Sequence, residues 1–431
     1  MQPIRQSFVV LFVFLAACNS LAPSQNNAPI STAPTTASNG ASRQTVELFT
    51  TWAGQTSAEK NALLALEDIF RQQHPELDIL HSDLGGGGGN TDDMLLERLR
   101  RQEPPDSFVV HAGKESLAYV VRGELEPITK IFRDEKLDRV MPPLLLEQLE
   151  IQGEIYSIPV NIHRSNVLWY NPKIFRENNV QPPRTLGDFF TVAETFRAKG
   201  ITPLAIGGGF ELGHLFESIL LATYGAQDYV RLVNGDTALW MDARLETAIH
   251  TFEKMLGYTN TDRESEWWYP AAQRVVAGKA AMTIMGDWVN GAFVGERMKP
   301  NIDLAWTAAP GTDGTFMWLS DSFTLAKGAP HRQAAMEFLK TAASREAQDA
   351  FNHIKGSIPA RMDADKTLYD EYQQWSIDQF RAGALAPSIM HGAATSDAFR
   401  QAYSRAAIDF SNDLDQTAFV QALRAAVIEL E

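Results

Sequence analysis

The sequence predicts an α/β protein of two lobes, and three observations carry that reading. Strand-like and helix-like segments alternate along most of the chain, the pattern of βα units with mainly parallel sheets. The alternation starts near Gln44 and a second block of it starts near Ile158. With 431 residues, 45% of them hydrophobic and 21% charged, the chain is ordinary in composition and long enough for two lobes.

Ahead of the first block, Arg5 supplies a positive start and Phe8 to Ala17 is an unbroken apolar run of ten. A spanning helix needs roughly 20 residues, so the run fits a signal-peptide core instead. Leu15-Ala16-Ala17-Cys18 resembles a bacterial lipobox, whose small residues admit the signal peptidase and whose cysteine takes the lipid. The alternatives are a small buried cysteine or a plain secretory signal. Cys18 is the only cysteine, so no internal disulfide can form. Residues 1–17 therefore read as a signal peptide. Residues 18–43, rich in Ser, Thr, Ala, Pro and Asn without apolar periodicity, read as a lipidated flexible tether.

In the first block, Thr45 to Trp52 is strand-like, with Val46, Leu48 and Phe49 apolar. Ala58 to Gln73 carries Ala62, Leu66, Ile69 and Phe70 at helical spacing and stops before Pro75. "LDIL" at 77–80 is the next strand, a run of glycines follows, Asp92 to Arg101 is a helix, and "SFVVHAG" at 107–113 is a short buried strand. In the second block, 166–171 is strand-like and Asn171-Pro172 reads as a turn. Thr185 with Asp188 marks a capped helix start. Residues 201–208 and 280–288 are further strands, the last ending in Asp287 and Trp288. Ligands in such sheets sit beyond the carboxyl ends of strands, which singles out Trp52, the residues after Leu80, His111 and Trp288.

Several kinds of chemistry find no support. The net charge of −15 and the lack of basic blocks interleaved with aromatics exclude a nucleic-acid partner. The glycine run "GGGGG" at 85–89 has no Lys-Ser or Lys-Thr behind it; Asp92 and Asp93 follow instead and would repel phosphate. A flexible turn, or a close approach by a ligand or the other lobe, is the better reading of Gly86 to Gly88. The nine histidines form no HExxH site, and His214 with Glu217 supplies only two ligands on one helix. No Gly-x-Ser-x-Gly elbow or marked carboxylate pair is present, so neither catalysis nor a cofactor or metal is expected. What remains is a set of tryptophans and polar residues near strand ends and turns: Trp52, Trp267, Trp268, Trp288, Trp318, Asp321, Lys355 and His391. Each alone reads as core or surface. Together they match a pyranose, whose C–H faces stack on indole and whose hydroxyl rim both donates and accepts.

The chain resembles the extracellular solute-binding proteins of bacterial ABC importers, in the sugar-binding group and closest to the glucose- and galactose-binding branch. The stretches that carry the resemblance are "ELFTTWAGQ" (47–55), "PPDSFVVHAG" (104–113), "YSIPVNIHRSNVLWYN" (156–171) and "RVVAGKAAMTIMGDW" (274–288). "FMWLSDSFTLAKGA" (316–329), "FNHIKGSIPAR" (351–361) and "HGA" (391–393) complete the set, in the family's order. The resemblance implies a two-lobe periplasmic-binding-protein fold of type II, with the ligand in the interlobe cleft and closure about a hinge. It implies crossovers near Tyr156 to Asn161, Trp306 to Pro310 and Lys355 to Pro359. The first lobe is then 44–158 with 309–354, and the second 159–308 with 355–431.

By the same resemblance, Trp52 stacks on the sugar and His111 bonds its hydroxyls from the first lobe. Trp268 and Trp288 supply aromatic walls from the second, while Asp321, Lys355 and His391 grip the hydroxyl rim. The implied protein is a monomeric, non-enzymatic receptor at the cell surface or in the periplasm. It is held to the membrane only by the lipid on Cys18, binds a monosaccharide and hands it to the transmembrane subunits of the permease. Thr51, Thr56 and Val109 depart from the family pattern of a second tryptophan, an acid and a glutamine. A receptor for an oligosaccharide or polyol, or a glycan-degrading lipoprotein, stays open as an alternative.

Overall fold

The computed structural model of the chain describes residues 44–52, 56–82 and 89–430. Cys18, the segments before and after it, and Gly86 to Gly88 lie outside the described residues. Among the described residues no helix is long and apolar enough to cross a membrane.

Among the described residues there are fourteen strands: β1 (Gln44–Phe49), β2 (Leu77–His81), β3 (Ser107–His111), β4 (Glu150–Ile151), β5 (Glu154–Ile155), β6 (Ser157–Pro159) and β7 (His163–Arg164) come first. After them run β8 (Val167–Tyr170), β9 (Thr202–Leu204), β10 (Ala280–Ile284), β11 (Ala305–Ala308), β12 (Thr315–Leu319), β13 (Asp321–Thr324) and β14 (Ala384–Pro387). They build a first sheet of order β2-β1-β3-β13-β6, a second of order β11-β8-β10-β9 and a third of order β14-β12-β7, with β4 and β5 as a small ribbon.

Where helices connect strands the pairing is parallel, as in β1 with β2 and β3, β9 with β10, and β12 with β14. β8 is antiparallel to β10 and β11, and β13 is antiparallel to β3 and β6. The sheets are thus more mixed than the alternation of strands and helices suggests. The reason is local: β8 and β13 each follow a third-sheet strand, β7 or β12, through one or two residues, so no helix sets their direction.

Local sequence accounts for the main helices. The helix Ser57–Gln73 starts on a capping box in which Thr56 and Glu59 satisfy each other's backbone, and it buries Ala62, Leu63, Leu66, Ile69 and Phe70. Thr56, a departure from the family pattern, is therefore a helix cap. The box at Thr185 and Asp188 opens Leu186–Arg197 as expected. Asn171-Pro172 is no free turn. Asn171 accepts from the backbone of Lys173 and Ile174, and Pro172 sits in the first turn of the helix Pro172–Glu177.

Two large cores result. One holds Val46, Leu66, Phe70, Phe323 and Phe338 around the first sheet, and the other holds Leu168, Phe189, Phe216, Met282 and Phe410 around the second. The described residues belong to one compact unit.

Three passages link the first sheet to the rest. Residues Val160 to Ile162 lead from β6 to β7, and Ser320 alone separates β12 from β13. Ile358 bridges antiparallel to Ile162 beside them. The second passage thus lies at Ser320 and not at Trp306 to Pro310, because β11 pairs with β8 in the second sheet and β12 with β7 and β14. Asn161 laces the passages together. Its amide donates to Asp321 at 2.6 Å and accepts from the Asp321 N–H at 2.8 Å, while its carbonyl accepts from the Ser320 hydroxyl at 2.6 Å.

Candidate functional site

β3 ends at His111, and the helix Lys114–Val121 brings Glu115 back so that its carboxylate meets His111 Nδ1 at 2.6 Å. Antiparallel register sets Asp321 opposite His111, with its Oδ1 3.6 Å from His111 Nε2. Asp321 Oδ2 lies 3.2 Å from His163 Nε2, and His163 Nδ1 bonds Asp287 beyond the end of β10. Asp287 also accepts from the Arg164 N–H at 2.8 Å. Five side chains therefore alternate acid and imidazole, from Glu115 through His111, Asp321 and His163 to Asp287.

The charges follow from that order. Burial opposes charge on His111, but Glu115 and Asp321 outweigh it and push the imidazole up to about 9. Burial likewise works against His163, whose pKa is raised because Asp287 and Asp321 flank it. Burial alone would raise the Asp321 carboxyl; the bond to His163 and the charges of His163, His111 and Lys355 hold it well below the usual carboxylate range.

An aromatic wall stands beside this row. Trp288 opens the helix Trp288–Gly295, and its ring lies 5.1 Å from that of His391, 5.7 Å from His163 and 6.5 Å from Trp268. His391 reaches back to the first sheet, its ring 5.8 Å from His111. The loop that carries His391 fits only as glycine at two points. Gly392 (φ 63°) faces the Glu115 carboxylate, which an added Cβ would meet at 2.6 Å, and a Cβ on Gly113 (φ 120°) would meet the Ala393 carbonyl at 2.5 Å.

The residues expected to bind ligand fall into two groups. His111, Asp321, Trp268, Trp288 and His391 come together around the acid–imidazole row. Trp52 and Lys355 form a neighbouring group: the Lys355 ammonium pairs with Glu59 at 2.6 Å and sits 5.4 Å from the Trp52 ring. Trp52, 5% exposed, packs against Phe323 and Phe351 at 5.7 and 5.2 Å, so much of its surface is already committed to the core. Asn161, His163, Glu115 and Asp287 are the partners that sequence reading passed over. "NIHRS" at 161–165 reads as a crossover, and only its closing onto Asp321 shows why amide and imidazole stand two apart. The arrangement offers acceptors, donors and indole faces within one constellation, the set that a hydroxylated ring with apolar faces requires.

The model of the family described as bacterial extracellular solute-binding protein matches residues 46–349. An uncharacterised ABC transporter extracellular-binding protein of Pyrococcus horikoshii is 35% identical over 83% of this chain and 81% of its own length. A probable sugar-binding periplasmic protein of Mesorhizobium japonicum is 30% identical over 67% of this chain and 70% of its own length. Among solved structures, the bacterial solute receptor AcbH, described with an exclusive preference for β-D-galactopyranose, superposes with a TM-score of 0.78 at 17% identity. That match covers 89% of this chain and 97% of AcbH.

Proposed function

This chain belongs to the bacterial extracellular solute-binding protein family, and on that premise we propose that it captures a monosaccharide for an ABC import permease. The observation that carries the proposal is Asp321, held between His111 and His163 beside the rings of Trp288 and His391. An ionised carboxylate accepts two hydroxyl hydrogens, and the imidazoles and Asn161 beside it fix its orientation. The name of the Mesorhizobium relative supports a sugar over other solutes.

One lobe comprises residues 44–159 with 321–357, the other 163–319 with 359–431, and the sugar stabilises closure by touching both. Lipid on Cys18 holds the receptor at the cell surface or in the periplasm as a monomer. Its work is binding, without bond chemistry. A Cys18→Ser chain should leave the membrane fraction for the soluble one on fractionation; retention would remove the anchor.

Calorimetric titration with glucose, galactose, mannose and maltose tests the ligand. Saturable heat with a monosaccharide and none with maltose is expected, and Trp288→Ala should weaken that binding at least about tenfold, a loss of roughly 1.4 kcal/mol. A second reading, an oligosaccharide ligand, draws on Trp267, which is 40% exposed and lies 5.4 and 5.7 Å from the rings of Trp268 and Tyr269. Heat with maltose alone would favour it over the monosaccharide.

A further inference from the structure

We propose that His214, Glu217 and His391 form a binding site for a divalent transition-metal ion. The helix Phe210–Val233 sets His214 and Glu217 one turn apart on one face, and the turn after β14 delivers His391 onto them. One donor atom from each side chain lies within 4.8 Å of the other two, and His214 Nδ1 is 3.6 Å from Glu217 Oε1. Donors at about 2.0–2.1 Å from a tetrahedral ion stand about 3.3 Å apart. The buried pair is nearly at that spacing, and His391 completes the group from its turn.

The surroundings fix each ligand in its binding form. His214 Nε2 is 3.0 Å from the Ser165 carbonyl, so the proton belongs on Nε2 and the lone pair on Nδ1 points toward Glu217. The Ser388 hydroxyl lies 3.0 Å from both Glu217 oxygens and gives its one proton there. It then accepts from His391 Nδ1 at 3.0 Å, which leaves the lone pair on His391 Nε2. Glu217 also accepts from Ser165 Oγ and from the N–H groups of Ile389 and Met390.

These partners of Glu217 are all neutral. Two imidazoles and a buried carboxylate whose other partners are hydroxyls and backbone N–H groups are a donor set that a zinc-like ion completes. The ion would leave one position open on the side of His391, whose ring also faces Trp288 and His111. His391 thereby belongs to both sites, but metal binding is read without any sugar, so the two proposals stand or fall separately.

The test uses the full chain stripped with EDTA and then dialysed against zinc chloride, with the bound metal counted. One zinc per chain is expected, and cobalt in its place should give the visible bands of a low-coordinate site. His391→Ala and His214→Gln should each lower zinc affinity at least about tenfold, with circular dichroism confirming that each variant folds. Should His214→Gln fail to fold, His391→Ala on its loop decides the matter. Absence of retained zinc, or one zinc held equally well by the folded variants, overturns the proposal.

Discussion

At Asp321 one buried carboxylate faces two imidazoles, His163 at 3.2 Å and His111 at 3.6 Å, and it adds to the pull of Asp287 on the first and of Glu115 on the second. Asp321→Ala leaves each imidazole with a single carboxylate, Glu115 for His111 and Asp287 for His163, and the loss of hydrogen bonds between charged groups costs about 1.5–3 kcal/mol. The cost depends on pH with a definite sign. The Asp321 pKa is lowered in the folded state, so its contribution is present above the unfolded value of about 3.9 and fades as pH falls through the folded one. The His163 pKa is raised, so its contribution is full below about 6.5 and is lost as pH rises through its folded value. Urea denaturation of both proteins across pH should therefore show the largest difference between about pH 5 and 6.5, narrowing on either side. A constant difference would mean that the row is not charged as described. At this scale Trp288, Asp321 and His391 were legible, because each stands in a motif near a strand end or turn. His163 was not, and Glu217 was legible only as one half of a pair with His214. Their meaning comes from partners more than a hundred residues away, Asp287 and Ser388, and a lone sequence holds no trace of that closeness.

Among the elements, the helix Trp288–Gly295 ties second-sheet and first-sheet structure together. It leaves β10 and meets the end of Arg345–Lys355, a helix that packs on Ser57–Gln73. The meeting is backbone on backbone: a Cβ on Gly291 would lie 2.2 Å from the Lys355 carbonyl oxygen, and one on Gly356 would lie 2.4 Å from the Gly291 nitrogen. Gly291→Ala should therefore hold the helices apart and weaken ligand binding about tenfold. Overpacking of this kind costs about 1–3 kcal/mol. Calorimetry reads the affinity and a melting curve reads the fold; unchanged affinity would take this contact out of closure. Helices were well legible at this scale, since capping residues and apolar spacing are local properties. The short strands β7 and β13 were not, for two to four residues cannot display an alternation, and their pairing depends on passages made elsewhere.

Over the whole molecule, the α/β class and the presence of two blocks were legible from alternation and length. The path of the chain between sheets was legible only in part. Nothing local distinguishes Trp306 to Pro310 from Ser320 as a crossing point; the pairing of β12 with β7 decides it. The three passages meet at Asn161, Ser320 and Ile358. A ligand that touches both proposed lobes favours their closed arrangement, and without it the opened one competes. Small-angle scattering should give a larger radius of gyration without sugar. In saturating sugar it should fall toward the roughly 21 Å of a compact chain of this length. Gly291→Ala should shift the sugar-bound curve back toward the open one. Identical curves with and without a sugar that binds by calorimetry would show that capture proceeds without closure.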